Sequence, residues 1–169
     1  MSKLTRTDLQ HLARLRLREA GLLLDGASFS GSYYFTGLAV ECALKACIAR
    51  ATAEFDFPDF DKVKDSWHHD LNRLLSTAGL SDQLSTKMRG DEQFKANWLT
   101  VKDWKIDSRY EQWPEEQARN IYNAVNDKRS RNHAVDRGTL VMPYVATLTA
   151  ADLDFGKRIT ETQDCKVLI

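Results

Sequence analysis

The first apolar segment of the chain carries leucines three or four positions apart, which is the spacing of one face of a helix. This pattern predicts an amphipathic helix over residues 8–25. Thr7 and Gln10 can form a capping box at its start, and Gly26 follows its end as a stop signal. We therefore expect the chain to begin with a helix that buries its leucine face.

The second segment, residues 27–49, reads ASFSGSYYFTGLAVECALKACIA and carries only two charges, Glu41 and Lys45. Ser28 or Ser30 can cap a helix over residues 31–53, and good helix formers follow from position 38 onward. Only a short turn separates this helix from the first one. The two are therefore predicted to form an antiparallel hairpin.

Three further helices are predicted downstream, and they are shorter. Residues 68–80 place leucines on one face, residues 81–89 add another turn or two, and residues 94–104 repeat large apolar side chains. The last helix starts at Pro114 and runs to Arg129 or Asn132. Between the hairpin and these helices, EFDFPDFDKVKD at 54–65 is predicted to be a loop because a proline interrupts it.

The pattern changes after position 135. TLVMPYVATLT, at 139–149, contains a proline and β-branched residues and favours a strand or extended chain. We therefore divide the chain into a helical domain over residues 1–135 and a C-terminal extension over residues 136–169. The predicted fold class is all-α, a bundle of about five helices followed by this extension.

Composition narrows the class of protein. A chain of 169 residues suffices for one hydrophobic core, and 24 basic residues balance 24 acidic ones, so no overall charge attracts nucleic acid or a membrane. The N-terminus lacks the apolar stretch of a signal peptide. Two charges in mid-segment also argue against residues 27–49 spanning a membrane. We expect a cytoplasmic protein that does not enter a membrane.

Cysteine and histidine positions do not suggest a metal centre. Cys42 and Cys47 lie five apart in one predicted helix and point away from each other, and Cys165 is distant in sequence. None of the cysteines and histidines has the spacing of zinc ligands. We therefore expect reduced cysteines, no metal and no cofactor.

Glu41 and Lys45 are one helical turn apart and form a predicted ion pair on an apolar face. Buried charges persist in proteins when they are paired, so one interpretation is a structural pair that ties this helix to a neighbour. The other is a polar site lining a groove between helices or subunits. His68, His69 and Asp70 form a second polar cluster at the start of the next helix. One of these histidines could donate to a carboxylate such as Glu41, or it could serve only as a cap or an interhelix hydrogen bond.

Two other clusters contain candidate binding residues. Arg109 and Tyr110 lie in a connector among three tryptophans, where they could stack a base and hold a phosphate, or simply cover the core. The run KRSRNHAVDR contains Arg129, Arg131 and His133. If the last helix continues, Arg129 and His133 share a face, where the histidine could act on an RNA 2′-hydroxyl, or the run is a solvated helix end.

Several motifs in fixed order resemble the HEPN family (higher eukaryotes and prokaryotes nucleotide-binding). They are FSGSYYFTGLAVECALKACI at 29–48, HDL at 69–71, and a tryptophan at 104 followed by SRY at 108–110. The match covers roughly residues 7–128. It resembles the prokaryotic branch that accompanies nucleotidyltransferases and toxin–antitoxin modules.

The resemblance implies an up-and-down helical bundle that forms a homodimer and handles RNA or a nucleotide, with a nucleotidyltransferase or an antitoxin as a possible partner protein. Glu41 and Lys45 fall on the family's acidic and basic positions, beside the histidine of HDL. Ribonucleases of the family carry an arginine followed after four to six residues by a histidine. Arg129 and His133 have three residues between them, and Arg131 has only one. Either the motif is absent, or a short variant operates.

Three functions follow from these observations. The first is a HEPN-like domain that binds RNA or a nucleotide within a toxin–antitoxin or defence module, with Glu41, Lys45, His69, Arg109, Tyr110 and Arg131 as binding residues. The second is a metal-independent endoribonuclease with Arg129 and His133 as catalytic residues. The third is a structural helical adaptor.

Overall fold

A computed structural model describes residues 4–51 and 60–127 of the chain. Within these two ranges the fold is all-α, as predicted, and no strand occurs. The elements in chain order are α1 (Arg6–Asp25), α2 (Phe29–Ala51), α3 (Phe60–Ser66), α4 (Leu71–Thr77), α5 (Ser81–Gly90), α6 (Glu92–Val101), a 3-10 helix (Ile106–Tyr110) and α7 (Glu115–Val125). The predicted boundary at 135, the extended segment at 139–149 and the C-terminal extension lie outside the described residues.

The start of α1 is fixed by a capping box formed by Thr5 and Asp8. The Thr5 hydroxyl accepts from the Asp8 amide at 3.2 Å, and the Asp8 carboxylate accepts from the Thr5 amide at 2.9 Å. The predicted box of Thr7 and Gln10 is therefore wrong. Thr7 and Gln10 both lie inside the helix. Thr5 forms the capping box instead, because Asp8 stands three positions after it.

The turn from α1 to α2 is a Schellman motif. The Ser28 amide donates to the Leu23 carbonyl at 2.7 Å, and the Ala27 amide donates to the Leu24 carbonyl at 3.2 Å. Gly26 follows the last helical residue, as predicted, but the left-handed residue is Ala27, with φ at 55°. This turn confirms the antiparallel hairpin, since α1 and α2 pack along each other directly after it.

Helix α2 is the central element of the fold. It packs against α1, α4, α7 and the 3-10 helix, and it is buried on several sides for that reason. The fully buried residues on it are Ser32, Thr36, Ala39, Val40, Ala43, Leu44 and Ala46. No described helix combines the length and apolarity needed to cross a bilayer.

The prediction of a loop over 54–65 is wrong for its second half, which forms α3. This helix buries none of its side chains, and Phe60, Val63 and the following Trp67 are exposed. Two nitrogens of the Arg73 guanidinium, Nε at 3.1 Å and Nη2 at 2.5 Å, donate to the same Oδ1 of Asp65 and hold α3 to α4. Periodicity could not reveal α3, because a helix that contributes nothing to the core has no apolar pattern to recognise.

The predicted face of α4 is confirmed, and its leucines at 71, 74 and 75 are buried. Asp70 caps the helix by accepting from the Arg73 amide at 2.8 Å. Helix α7, by contrast, ends at Val125 with Asn126 as its C-cap. The predicted continuation of this helix is wrong at Asn126 and Asp127, where asparagine and aspartate replace good helix formers, and its part from residue 128 to Arg129 or Asn132 lies outside the described residues.

Candidate functional site

Glu41 forms the centre of a buried polar cluster with Lys45 and His69. Its carboxylate is only 5% exposed and lies 2.9 Å from the Lys45 ammonium. Nδ1 of His69 lies 3.0 Å from both carboxylate oxygens. The predicted ion pair and the predicted histidine contact are thus both present in the structure.

This cluster joins α2 to the segment that leads into α4. His69 directly precedes Asp70, the cap of α4, so its bond to Glu41 fixes where that helix begins relative to α2. A buried carboxylate with two partners satisfies its charge inside the bundle. The three side chains therefore hold α2 against the start of α4, which is a structural role.

Only one edge of the cluster reaches the surface. The side chain of His69 is 48% exposed, whereas that of Lys45 is 19% exposed. Nδ1 of His69 contacts Glu41, so a ligand at this edge would meet the other ring nitrogen of His69. Glu41 itself lies beneath it.

Arg109 and Tyr110 form an exposed pair at the end of the 3-10 helix. The guanidinium carbon of Arg109 lies 4.7 Å from the centre of the Tyr110 ring, and Tyr110 is 77% exposed. Hydrogen bonds to the side chains of Tyr110 and Tyr34 raise the pKa of Arg109 further, so it remains a cation. The guanidinium covers one face of a ring that is otherwise largely exposed, and this combination of a cation and an aromatic ring is suited to a phosphate and its base.

The connector that carries this pair is held firmly to α2. The rings of Trp113 and Tyr33 stack with centres 3.7 Å apart and planes 7° apart. The Trp113 amide donates to the Ser30 hydroxyl at 2.8 Å, and its indole N–H donates to the Ser108 carbonyl at 3.2 Å. Burial, with a smaller effect from Glu111, raises the pKa of Tyr33. Arg109 and Tyr110 therefore project from an ordered turn.

The other two tryptophans near the connector are core residues. Trp98 and Trp104 are buried, and Tyr34 packs beside Trp104. For these two side chains the structural interpretation is confirmed. The guanidinium of Arg109 lies over the ring of Tyr110.

The structure also contains a polar groove between α6 and α7, which sequence analysis did not identify. It has a volume of about 630 Å³. Its lining residues are Gln93, Ala96, Asn97, Thr100, Asn120, Asn123, Ala124, Asn126 and Asp127. The recurrence of asparagine at 120, 123 and 126 was the available signal, since those positions follow one side of a helix.

Arg129, Arg131 and His133 lie outside the described residues. The prediction that Arg129 and His133 share a face of the last helix required α7 to continue, and α7 ends at Val125. The structure thus brings Glu41, Lys45 and His69 together and leaves Arg109 and Tyr110 as a separate pair. Among the described residues, no three histidine, cysteine, aspartate or glutamate side chains come together as a metal site.

Comparison with known proteins found no match among family models, curated proteins or solved structures. The HEPN resemblance therefore stays a prediction that depends on the motifs at 29–48, 69–71 and 104–110.

Proposed function

We propose that this chain is a HEPN-like domain that binds RNA or a nucleotide. The observation that carries the proposal is the exposed pair of Arg109 and Tyr110 on a connector fixed by the stack of Trp113 on Tyr33. A cation and an open ring together supply the two contacts that single-stranded nucleic acid uses, to the phosphate and to the base. Its place in a toxin–antitoxin or defence module, its homodimer and its partner protein are supported by the motif resemblance alone.

The test is the binding of a fluorescent single-stranded RNA, followed by anisotropy at about 50 mM and about 200 mM salt. Replacing Tyr110 with alanine removes a stacking platform and is expected to weaken binding about 5- to 100-fold. Tyr110→Phe keeps the ring and should bind nearly as the wild type does. Arg109→Ala should weaken binding and reduce the salt dependence by about one phosphate contact.

Arg89→Ala is the matched control, because Arg89 is also exposed but lies on α5, away from the connector. It should change affinity much less than Arg109→Ala does. Equal losses from the two arginine variants would mean that any surface cation contributes alike, and the proposed site would be rejected. Wild-type protein that does not bind RNA or a nucleotide would reject the function itself.

Metal-independent endoribonuclease activity through Arg129 and His133 is the second candidate. The observation in its favour is that the basic run starts at Lys128, directly after Asp127 of the polar groove. Incubation of end-labelled RNA without metal, with His133→Ala in parallel, tests it. Cleavage by the wild type alone would support the activity, and equal results from two folded proteins would exclude His133 as the catalytic base.

A further inference from the structure

The groove between α6 and α7 is rich in amide side chains. Among residues 4–51 and 60–127, its polar lining consists of five amides, one hydroxyl and one carboxylate, with no lysine or arginine. Amide side chains both donate and accept hydrogen bonds. A ligand that fits this lining has donors and acceptors along its edge.

One end of the groove is organised before any ligand binds. Asn97 is buried on α6, and it accepts from the Gln93 amide and donates to Asp127, each at 3.0 Å. This chain links α6 to the residue that follows the C-cap of α7. A side chain bonded at both ends cannot rotate freely, so that wall of the groove keeps its shape.

The remaining amides on α7 are open to a ligand. Asn120 and Asn123 line the groove, are exposed, and make no side-chain hydrogen bond within ranges 4–51 and 60–127. They are three residues apart and therefore neighbours on the helix surface. The two lining alanines, Ala96 and Ala124, have short side chains that leave room for a flat ring.

We infer that the α6–α7 groove binds a nucleobase, with Asn120 and Asn123 contacting its polar edge. Asparagine side chains pair in two-point fashion with the edge of adenine, so adenine is the base expected to fit best. The volume lies within the range of small-molecule sites. The choice of a base over another uncharged polar ring rests on the proposed function.

Adenosine is the probe, since it carries the base without a phosphate. Titration of isotopically labelled protein is expected to shift the side-chain amide signals of Asn120 and Asn123. Replacing both residues with alanine should weaken adenosine binding about tenfold, because two hydrogen bonds are lost. Gln117→Ala is the control, since it removes an exposed amide from α7 outside the groove.

The competing probe is ribose 5-phosphate, which has the sugar and the phosphate but no base. The inference is overturned if it shifts the same signals as strongly as adenosine. It is equally overturned if adenosine causes no shift, or if the double variant binds adenosine as the wild type does. Salt should have little effect on adenosine binding, in contrast to RNA binding.

These results separate the groove from the proposed function. If RNA binding depends on Arg109 and Tyr110 but adenosine does not bind, the function stands and the groove inference fails. If adenosine binds through Asn120 and Asn123 but the protein does not bind RNA or a nucleotide, the groove remains a nucleoside site and the proposed function fails.

Discussion

Gly37 lies directly against the indole ring of Trp104. A Cβ atom at position 37 would overlap three ring atoms, Cδ1, Cδ2 and Cε2. Gly37 sits inside α2, where glycine costs a helix about 1 kcal/mol relative to alanine. Any larger residue at position 37 would overlap the buried tryptophan, so glycine fits here despite its lower helix propensity.

Gly37→Ala is therefore expected to destabilise the protein, even though alanine favours helices. Overpacking a filled core typically costs about 1 to 3 kcal/mol, and the rigid indole has little room to move. Gly90→Ala is the matched control, because a Cβ at position 90 meets no atom within 4 Å. Urea unfolding should show a loss for position 37 and none for position 90. Equal stability of the two variants would contradict this packing.

Glu41→Gln is expected to lower the free energy of unfolding by about 2 to 3 kcal/mol. Breaking a fully buried pair costs about 3 to 5 kcal/mol, and the partial exposure of Lys45 and His69 reduces that figure. Lys95→Gln breaks the exposed pair with Glu92 and should cost less than about 1 kcal/mol. If the two variants lose the same amount, Glu41 is not a buried tie.

Asp91 caps α6 by accepting from the Phe94 amide at 2.9 Å. Asp91→Ala should cost about 1 kcal/mol, whereas Asp91→Asn retains a good cap and should cost less. The bond from Phe94 and the contact with Lys87 lower the pKa of Asp91 below 3.8. Its contribution to stability is therefore present above pH 3.8 and is lost as the pH falls through the lower folded-state pKa. Unfolding curves recorded across the acid range test this dependence.

Burial, followed by the charge of Glu41, raises the pKa of the Cys42 thiol from 9.0 to about 11. The unfolded chain then releases this proton at a lower pH than the folded protein does. Stability should be retained below pH 9 and fall as the pH rises toward 11, by on the order of 2 kcal/mol for this group. Cys42→Ala should flatten that decline relative to the wild type. If the free energy of unfolding falls equally with pH in the wild type and in Cys42→Ala, burial does not raise the pKa of the Cys42 thiol.

Ala27→Gly is expected to stabilise the turn between α1 and α2. Ala27 has a φ of 55°, a left-handed conformation that costs a residue with a Cβ atom about 1 kcal/mol or more. Glycine removes that cost but loses more entropy on folding, so a net gain of about 0.5 kcal/mol is expected. A thermal melt that is unchanged or lower in the variant would contradict this balance.

The long helices could be predicted from their apolar residues. Leucines at helical spacing indicate α1, whereas α2 was recognised as a long segment of mostly apolar, aromatic or small residues, and its start was predicted within about two residues. Its cap and that of α1 were harder to locate, since neighbouring serines and threonines all fit the cap chemistry. Helix α3 was missed for the opposite reason, because it buries no side chain.

The site was only partly predictable. A contact from His68 or His69 to Glu41 was predicted from residue chemistry, since a buried carboxylate needs a donor from another element, and the structure shows that His69 makes it. The groove did not follow, because its walls are α6 and α7, which are separated by the connector at 102–114. A groove depends on how two helices pack against each other. Asn120 and Asn123 are exposed polar residues, and in the sequence they look like any other residues of a solvated helix surface.

Helix α3 contacts α4 through a polar side chain and leaves Phe60, Val63 and Trp67 exposed. The hydrophobic core therefore contains no side chain of α3. Mutations along α3 can therefore accumulate with little effect on folding, whereas Gly37 and Trp104 can change only together. Over evolutionary time, α3 is the part of the described chain that can acquire new surface properties most freely.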